Sequence, residues 1–151
     1  MHTYELNSEQ WVPRALEETF AFFSRPENLQ QITPPWLDFH ILRVESELHP
    51  GSLIEYRLKV HGIPMRWVSE ITDWSPPHRF VDTQLRGPYA LWHHEHTFAS
   101  EGGGTRISDR VTYALPFGVL GRLAHRLITR RDVEAIFAFR RQRLTELLAG
   151  E

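Results

Sequence analysis

Two histidines separated by a single residue, His94 and His96, are the feature of this sequence best suited to chemistry. They lie in residues 91–100, whose alternating apolar and polar side chains are typical of a β-strand. Imidazole ionises close to neutral pH, so each ring can act as a general acid or a general base. Asp109 falls in the next strand-like segment, and Arg140 interrupts the apolar stripe of a C-terminal helix. These four residues form the candidate polar site.

If the protein is an enzyme, all four are the expected catalytic groups. A histidine paired with the carboxylate would move a proton, and the guanidinium or the phenol of Tyr113 would stabilise an enolate oxygen. Two alternatives stay open, because the groups could satisfy one another in a polar seam or the histidine face could point to solvent.

The same histidines raise the question of a metal ion. With Asp109 or Asp82 they could supply three ligands, as in catalytic zinc sites. A His-x-His pair in a strand is weak support for a metal by itself. We therefore expect no metal and no other cofactor, and the chain has no Walker-type or dinucleotide-binding glycine pattern.

The element that must carry Arg140 is an amphipathic helix over residues 132–150. Its apolar positions recur at three- and four-residue spacing and are Val133, Ile136, Phe137, Leu144, Leu147 and Leu148. Arg140 lies within this face, and burying an unpaired guanidinium is prohibitively costly. It must therefore reach a carboxylate, a polar cavity or the rim of the core. A helical stripe over residues 120–127 is out of phase with this face, which predicts a bend at 129–132.

The remaining periodicity is mostly that of strands. Residues 2–11 predict a first strand, and prolines then favour two short helices between residues 13 and 32. Six further strands are predicted at 37–48, 52–60, 65–74, 79–85, 91–100 and 105–115. Their short connections predict neighbouring antiparallel strands.

Alternation along these strands predicts which side chains face the helix. Phe98 sets the phase of the sixth strand and places Trp92 on the same side as both histidines. On the fifth strand, alternation alone does not decide whether the face with Gln84 points inward. The expected ligand-binding residues are Tyr56, Leu58, Trp67, Gln84, Trp92, His94, His96, Phe98, Asp109, Val111, Tyr113, Phe137 and Arg140. So many aromatic groups predict a hollow, and we expect a cavity of at least about 300 Å³.

Several segments resemble the START-like superfamily, which has the helix-grip or Bet v 1-like fold. They are 20–28 (FAFFSRPEN), 32–37 (ITPPWL), 87–89 (GPY), 92–96 (WHHEH), 103–105 (GGT), Asp109 and 136–140 (IFAFR). They most resemble its SRPBCC ligand-binding branch, labelled polyketide cyclase/dehydrase-like. The resemblance implies one α+β domain over residues 1–151, with a curved seven-stranded antiparallel sheet around a long C-terminal helix. It also implies two short helices after the first strand, and a deep cavity between sheet and helix.

The resemblance does not imply one activity, because the superfamily contains lipid carriers, hormone receptors, cyclases and hydrolases. Our first hypothesis is a binder of a small hydrophobic molecule, which could be aromatic, polyketide-like or a lipid. The second is an enzyme of cyclase, dehydratase or isomerase type that uses the catalytic groups described above. The third is a protein-partner module that uses the outer sheet or the stripe of Arg122, Arg126 and Arg130. Phe117 and Leu120 could form a mobile entrance to the cavity.

Composition argues against several other classes. The 151 residues carry a net charge of −2 and no nucleic-acid-binding motif, so nucleic acid is not an expected partner. No apolar run of about eighteen residues occurs, so we expect no integral membrane contact. The N-terminus does not resemble a signal peptide and the chain lacks cysteine, which together favour a cytoplasmic location. The oligomeric state stays open.

Overall fold

The sheet is the largest element of the computed structural model, which describes residues 1–45 and 48–149. Within these residues, seven strands form one antiparallel sheet in the order β1-β7-β6-β5-β4-β3-β2. The strands are β1 (Tyr4–Val12), β2 (His40–Val44), β3 (Leu53–Val60), β4 (Ile63–Ser75), β5 (Arg79–Arg86), β6 (Leu91–Glu101) and β7 (Gly104–Ala114). The chain runs as a meander from β2 to β7, and β1 joins the sheet beside β7.

Helices occupy the two segments for which the sequence predicted them, one after β1 and one after β7. Helices α1 (Leu16–Phe23) and α2 (Glu27–Gln31) follow β1, and a 3-10 turn over Pro35–Leu37 leads into β2. Helix α3 (Gly118–Ala124) follows β7, and α4 (Arg130–Leu147) is the long C-terminal helix. The predicted α+β helix-grip fold is therefore confirmed.

The bend expected at residues 129–132 is replaced by a π-helical turn over His125–Thr129. The backbone stays helical from α3 through this turn into α4, because the flanking residues keep right-handed helical dihedrals. A π turn closes its hydrogen bond one residue later than an α turn, so it shifts the phase of side chains along the helix. This shift accounts for the change of stripe in the sequence. The helix end predicted at residue 150 lies outside the described residues.

Helix α4 packs its buried face against the sheet. That face carries Val133, Phe137, Arg140 and Leu144, so the guanidinium lies inside the protein. One cluster of buried residues surrounds Leu144 and the rings of α1, and the other surrounds Phe137. Register shifts in the pairing of β4 with β5 mark bulges, which bend a sheet. The curved sheet and α4 thus enclose the region where the candidate residues meet.

Candidate functional site

A cavity of about 180 Å³ lies between the sheet and α4. Its apolar wall includes Phe39, Tyr56, Leu58, Trp67, Trp92 and Phe137. Its polar side includes Ser69, Asp82, His94, His96 and Arg140. The volume is below the 300 Å³ we expected, because aromatic rings fill more of the interior than the alternation pattern suggested. Tyr56 and Trp67, for example, stack with their ring centroids 5.8 Å apart.

Alternation did not decide which face of β5 points inward, and the structure does. Phe80 and Asp82 both line the cavity. Across the ladder to β6, Phe80 pairs with His96 and Asp82 with His94. This register places a second carboxylate, that of Asp82, beside the two histidines. From the sequence, Asp82 was considered only as a possible metal ligand.

The two histidines bind two carboxylates in a crossed arrangement. His94 Nε2 lies 2.8 Å from Asp109 Oδ1 on β7, and His96 Nε2 lies 2.6 Å from Asp82 Oδ2 on β5. Each bond is diagonal, because the directly opposite pairs are His96 with Asp109 and His94 with Asp82. The imidazole rings stack with their centroids 3.6 Å apart. Arg140 then approaches from α4 and donates from Nη2 to Asp109 Oδ1 at 3.1 Å.

Both carboxyl groups of this cluster are held in the ionised form. Burial alone would raise the pKa of Asp109, but the Arg140 charge and hydrogen bonds from both histidines hold that pKa well below its usual value. Burial also opposes ionisation of Asp82, and the hydrogen bond from His96 lowers its pKa. An ionised carboxylate can only accept hydrogen bonds, so its histidine partner must carry the proton.

The pKa values of the two histidines are shifted in opposite directions. Burial and the neighbouring His96 lower the pKa of His94 to about 4, so His94 is neutral at pH 7. Burial also disfavours a charge on His96, but its hydrogen bonds to Asp109 and Asp82 raise the pKa of His96. A protonated His96 would, together with Arg140, balance the charges of the two aspartates. A buried cluster without excess charge is much less costly than one with an unpaired ion.

Neutral His94 has one free nitrogen. Its Nε2–H donates to Asp109, which leaves Nδ1 as a bare acceptor. Among residues 1–45 and 48–149, this Nδ1 has no hydrogen-bond partner, and its neighbour Asp82 Oδ2 is 3.9 Å away. Because His94 and Asp82 both line the cavity, a ligand there meets two acceptor atoms 3.9 Å apart.

Eight of the thirteen expected ligand-binding residues line the cavity: Tyr56, Leu58, Trp67, Trp92, His94, His96, Phe137 and Arg140. Asp109 does not line the cavity and contacts it through His94 and Arg140, which both bond its carboxylate. The aromatic residue Tyr89 and the small polar Ser69 were not predicted, although both line the cavity. Ser69 shares the alternation of Trp67 on β4, so the pattern contained it, whereas Tyr89 lies in a loop that has no period.

The other four expected residues lie elsewhere, which corrects their placement. The Gln84 amide bonds the backbone of Tyr89 through both its oxygen and its nitrogen, which fixes the loop after β5. Phe98 packs against Phe23 with ring centroids 5.2 Å apart and belongs to the solid core around α1. Val111 is completely buried in the core cluster around Phe137.

Tyr113 points away from the histidine pair. Its hydroxyl lies 2.8 Å from His125 Nε2 in the π-helical turn. The His125 ring stacks on Tyr4 with a centroid distance of 3.4 Å, so both groups are held at the edge of the sheet near β1. Tyr113 therefore cannot serve as the oxyanion donor that we considered for the enzyme hypothesis.

A possible metal-ligand set consists of Asp82, His94 and His96. One ligand atom from each lies within 4.8 Å of the others, so Asp82 rather than Asp109 would complete the set. Tetrahedral zinc ligands are about 3.3 Å apart, given zinc–ligand distances near 2 Å. His96 Nε2 and Asp82 Oδ2 are closer than that, at 2.6 Å, because they share a proton. This arrangement fits an ion pair better than a metal site.

The sequence profile of the family described as "Polyketide cyclase / dehydrase and lipid transport" matches residues 12–139. The chain therefore belongs to this family, within the START/Bet v 1-like superfamily. No sequence relative was found among the curated proteins.

Solved structures share the fold at low sequence identity. Protein CV1439 from Chromobacterium violaceum is 14% identical with a TM-score of 0.76, and the match covers 97% of this chain and 98% of that one. Protein Ms6760 from Mycobacterium smegmatis is 20% identical with a TM-score of 0.70, over 95% and 90%. The major latex-like protein 151 from Panax ginseng is 16% identical with a TM-score of 0.59, over 88% and 96%. None of the described helices is long and apolar enough to cross a membrane.

Proposed function

We propose that the protein binds a small, uncharged hydrophobic molecule in the cavity, with a hydroxyl group of that molecule donating to His94. The observation that carries this proposal is the free His94 Nδ1 at the polar side of an aromatic-lined hollow. Membership of a family described by cyclase, dehydrase and lipid-transport activities supports binding of a hydrophobic molecule.

The size of the cavity limits the ligand to one or two rings. An apolar cavity of about 150 Å³ accommodates benzene, and the cavity here is about 180 Å³. A long acyl chain or a tetracyclic molecule would need the walls to move. Stacked Tyr56 and Trp67 offer flat apolar surfaces to an aromatic ring.

The charges beside the cavity select the polar group of the ligand. Asp82 carries a negative charge at the polar side, so a ligand carboxylate there would be repelled. We had considered Arg140 as an anchor for a carboxylate. Its charge is already paired with Asp109 at 3.1 Å, and its Nε is buried without a hydrogen-bond partner among the described residues. A neutral hydroxyl group can instead donate to His94 Nδ1 without adding charge to a balanced cluster.

Binding of three bicyclic probes tests the proposal. Isothermal titration or tryptophan quenching should show that 2-naphthol binds about three- to tenfold more tightly than naphthalene, the gain expected for one hydrogen bond. Charged 2-naphthoate should bind more weakly than both. In His94→Phe the preference for the hydroxyl should disappear while naphthalene still binds. Absence of binding by all three probes would contradict the cavity function, and tightest binding of 2-naphthoate would contradict the assigned polarity.

A second candidate function is catalysis by His94 and Asp109. The 2.8 Å bond fixes the tautomer of His94, so Nδ1 is the base that faces the cavity. With a pKa of about 4, His94 would remove a proton only from an acidic donor such as an enol or an activated methylene. His94→Gln should then abolish turnover of such a substrate while its affinity is retained. Unchanged turnover after replacement of both histidines by alanine would exclude this mechanism.

A further inference from the structure

Residues 117–131 form an exposed apolar and basic segment that the cavity function does not explain. The segment begins just before α3 and ends in the first turn of α4. Its large apolar side chains are Phe117, Val119, Leu120, Leu123, Leu127 and Ile128, which are between 50% and 81% exposed. Scattered exposed leucines are normal, but six such residues within twelve positions are not. The segment therefore exposes more apolar surface than scattered single residues account for.

The charges of this segment all have one sign. It contains Arg122, Arg126, Arg130 and Arg131 and no aspartate or glutamate, although the whole chain has a net charge of −2. Arg130 pairs with Glu134 on the next turn, at 3.2 Å. The other three arginines make no salt bridge to any residue within 1–45 or 48–149. Cationic and apolar groups are thus exposed side by side.

The segment also borders the region of the cavity. Phe117 and Leu120 line a surface groove together with Val60, Pro88 and Tyr89. The last three residues also line the cavity itself. Whatever covers the segment is therefore placed beside side chains that line the cavity.

We propose that residues 117–131 dock peripherally onto the surface of a bilayer that contains anionic phospholipids. Helices with arginines among leucine and phenylalanine side chains lie in the interface, where apolar groups enter the acyl boundary and cations meet phosphates. Each arginine near an anionic surface adds to the attraction. A second copy of the chain fits less well, since a two-fold contact would bring both sets of arginines together.

Docking in this position would let a hydrophobic molecule pass between membrane and cavity without crossing water. The inference does not depend on the proposed ligand chemistry, because it rests on exposure and charge of a different part of the surface. Membrane binding and cavity binding can therefore be measured separately.

Vesicle co-sedimentation of the full chain tests the proposal. We expect binding to vesicles of phosphatidylcholine and phosphatidylglycerol in equal parts, weak binding to pure phosphatidylcholine, and loss of binding at high salt. The double variant Leu120→Ser/Leu123→Ser should lose binding. Arg122→Gln/Arg126→Gln should bind roughly ten- to thirtyfold more weakly.

Exposed leucines outside the segment provide matched controls. Leu53 on β3 and Leu85 on β5 are also exposed, and Leu53→Ser/Leu85→Ser should bind vesicles like the unmodified chain. Equal binding to both kinds of vesicle, equal loss in the control variant, or no binding at low salt would overturn the proposal. Self-association that disappears in Leu120→Ser/Leu123→Ser, without vesicle binding, would also overturn it and assign the surface to a second copy.

Discussion

The guanidinium of Arg140 on α4 lies 3.1 Å from the carboxylate of Asp109 on β7, and both side chains are almost completely buried. This ion pair joins the long helix to the sheet through the interior of the protein. The same carboxylate oxygen accepts the Nε2–H of His94, so the contact that holds the helix also fixes the histidine that faces the cavity. The Asp109 carboxylate therefore both holds the helix against the sheet and positions a histidine of the candidate site.

Replacing Arg140 by methionine should destabilise the fold strongly. The change leaves Asp109 buried without its cation, which typically costs about 3–5 kcal/mol. Urea unfolding followed by circular dichroism measures this loss. Arg130→Met at the start of α4, where the exposed Arg130 pairs with Glu134, is the matched control and should cost less than about 1 kcal/mol. Equal losses in the two variants would show that the buried pair contributes no more to stability than an exposed pair.

The free energy of unfolding should decrease as the pH falls from 6.5 to about 4. His94 has a folded pKa of about 4 and an ordinary value of 6.5, so in this window the unfolded chain binds the extra proton. One proton corresponds to a slope of at most about 1.4 kcal/mol per pH unit. His94→Gln keeps a donor for Asp109 and should flatten the slope.

His96 should contribute to the free energy of unfolding with the opposite pH dependence. Its pKa is raised in the folded protein, so its contribution is complete below pH 6.5 and is lost as the pH rises above that value. The pH dependence of unfolding in His96→Gln separates the two histidines. A slope between pH 4 and 6.5 that persists in His94→Gln would contradict the assignment of the neutral ring.

Filling the cavity should block ligand binding while the fold persists. Leu58 is buried in the cavity wall, and Leu58→Trp would place an indole in the space of about 180 Å³. Overpacking of this kind typically costs about 1–3 kcal/mol. Titration with 2-naphthol should detect no binding to this variant, whereas Leu58→Met should bind normally. Undiminished binding to Leu58→Trp would place the ligand outside the cavity.

Protein prepared without a histidine tag should contain no stoichiometric metal. The nearest candidate ligands, His96 and Asp82, already share a proton at 2.6 Å, and a metal would have to displace it. Elemental analysis by mass spectrometry measures the content directly. One zinc or iron ion per chain, lost in Asp82→Asn, would replace the ion-pair interpretation by a metal site.

Ligand binding should slow hydrogen exchange in residues 117–121. Phe117 and Leu120 border the groove beside the cavity, and the sequence predicted a mobile entrance there. Exchange measured by mass spectrometry with and without 2-naphthol tests this prediction. Unchanged protection at 117–121 in the presence of saturating ligand would count against an entrance at this position.

The sequence by itself determined the order of the elements and part of the apolar cavity wall. Alternation along β3, β4 and β6 placed Tyr56, Trp67 and Trp92 on the inner face, because a strand turns every second side chain to the same side. The interrupted stripe of the last helix also required a buried partner for Arg140, and the structure supplies Asp109. These inferences are local, since each needs only the period of one element or the cost of one buried charge.

The tertiary structure alone decided how the polar groups combine. The register between β5 and β6 places Asp82 within hydrogen-bonding distance of His96. The π-helical turn places His125 where Tyr113 bonds it instead of facing the histidine pair. The volume left between sheet and helix, and the exposure of residues 117–131, likewise depend on how whole elements pack. A periodic pattern states which side of an element a residue occupies. Distances between elements arise only when all side chains compete for the same interior space.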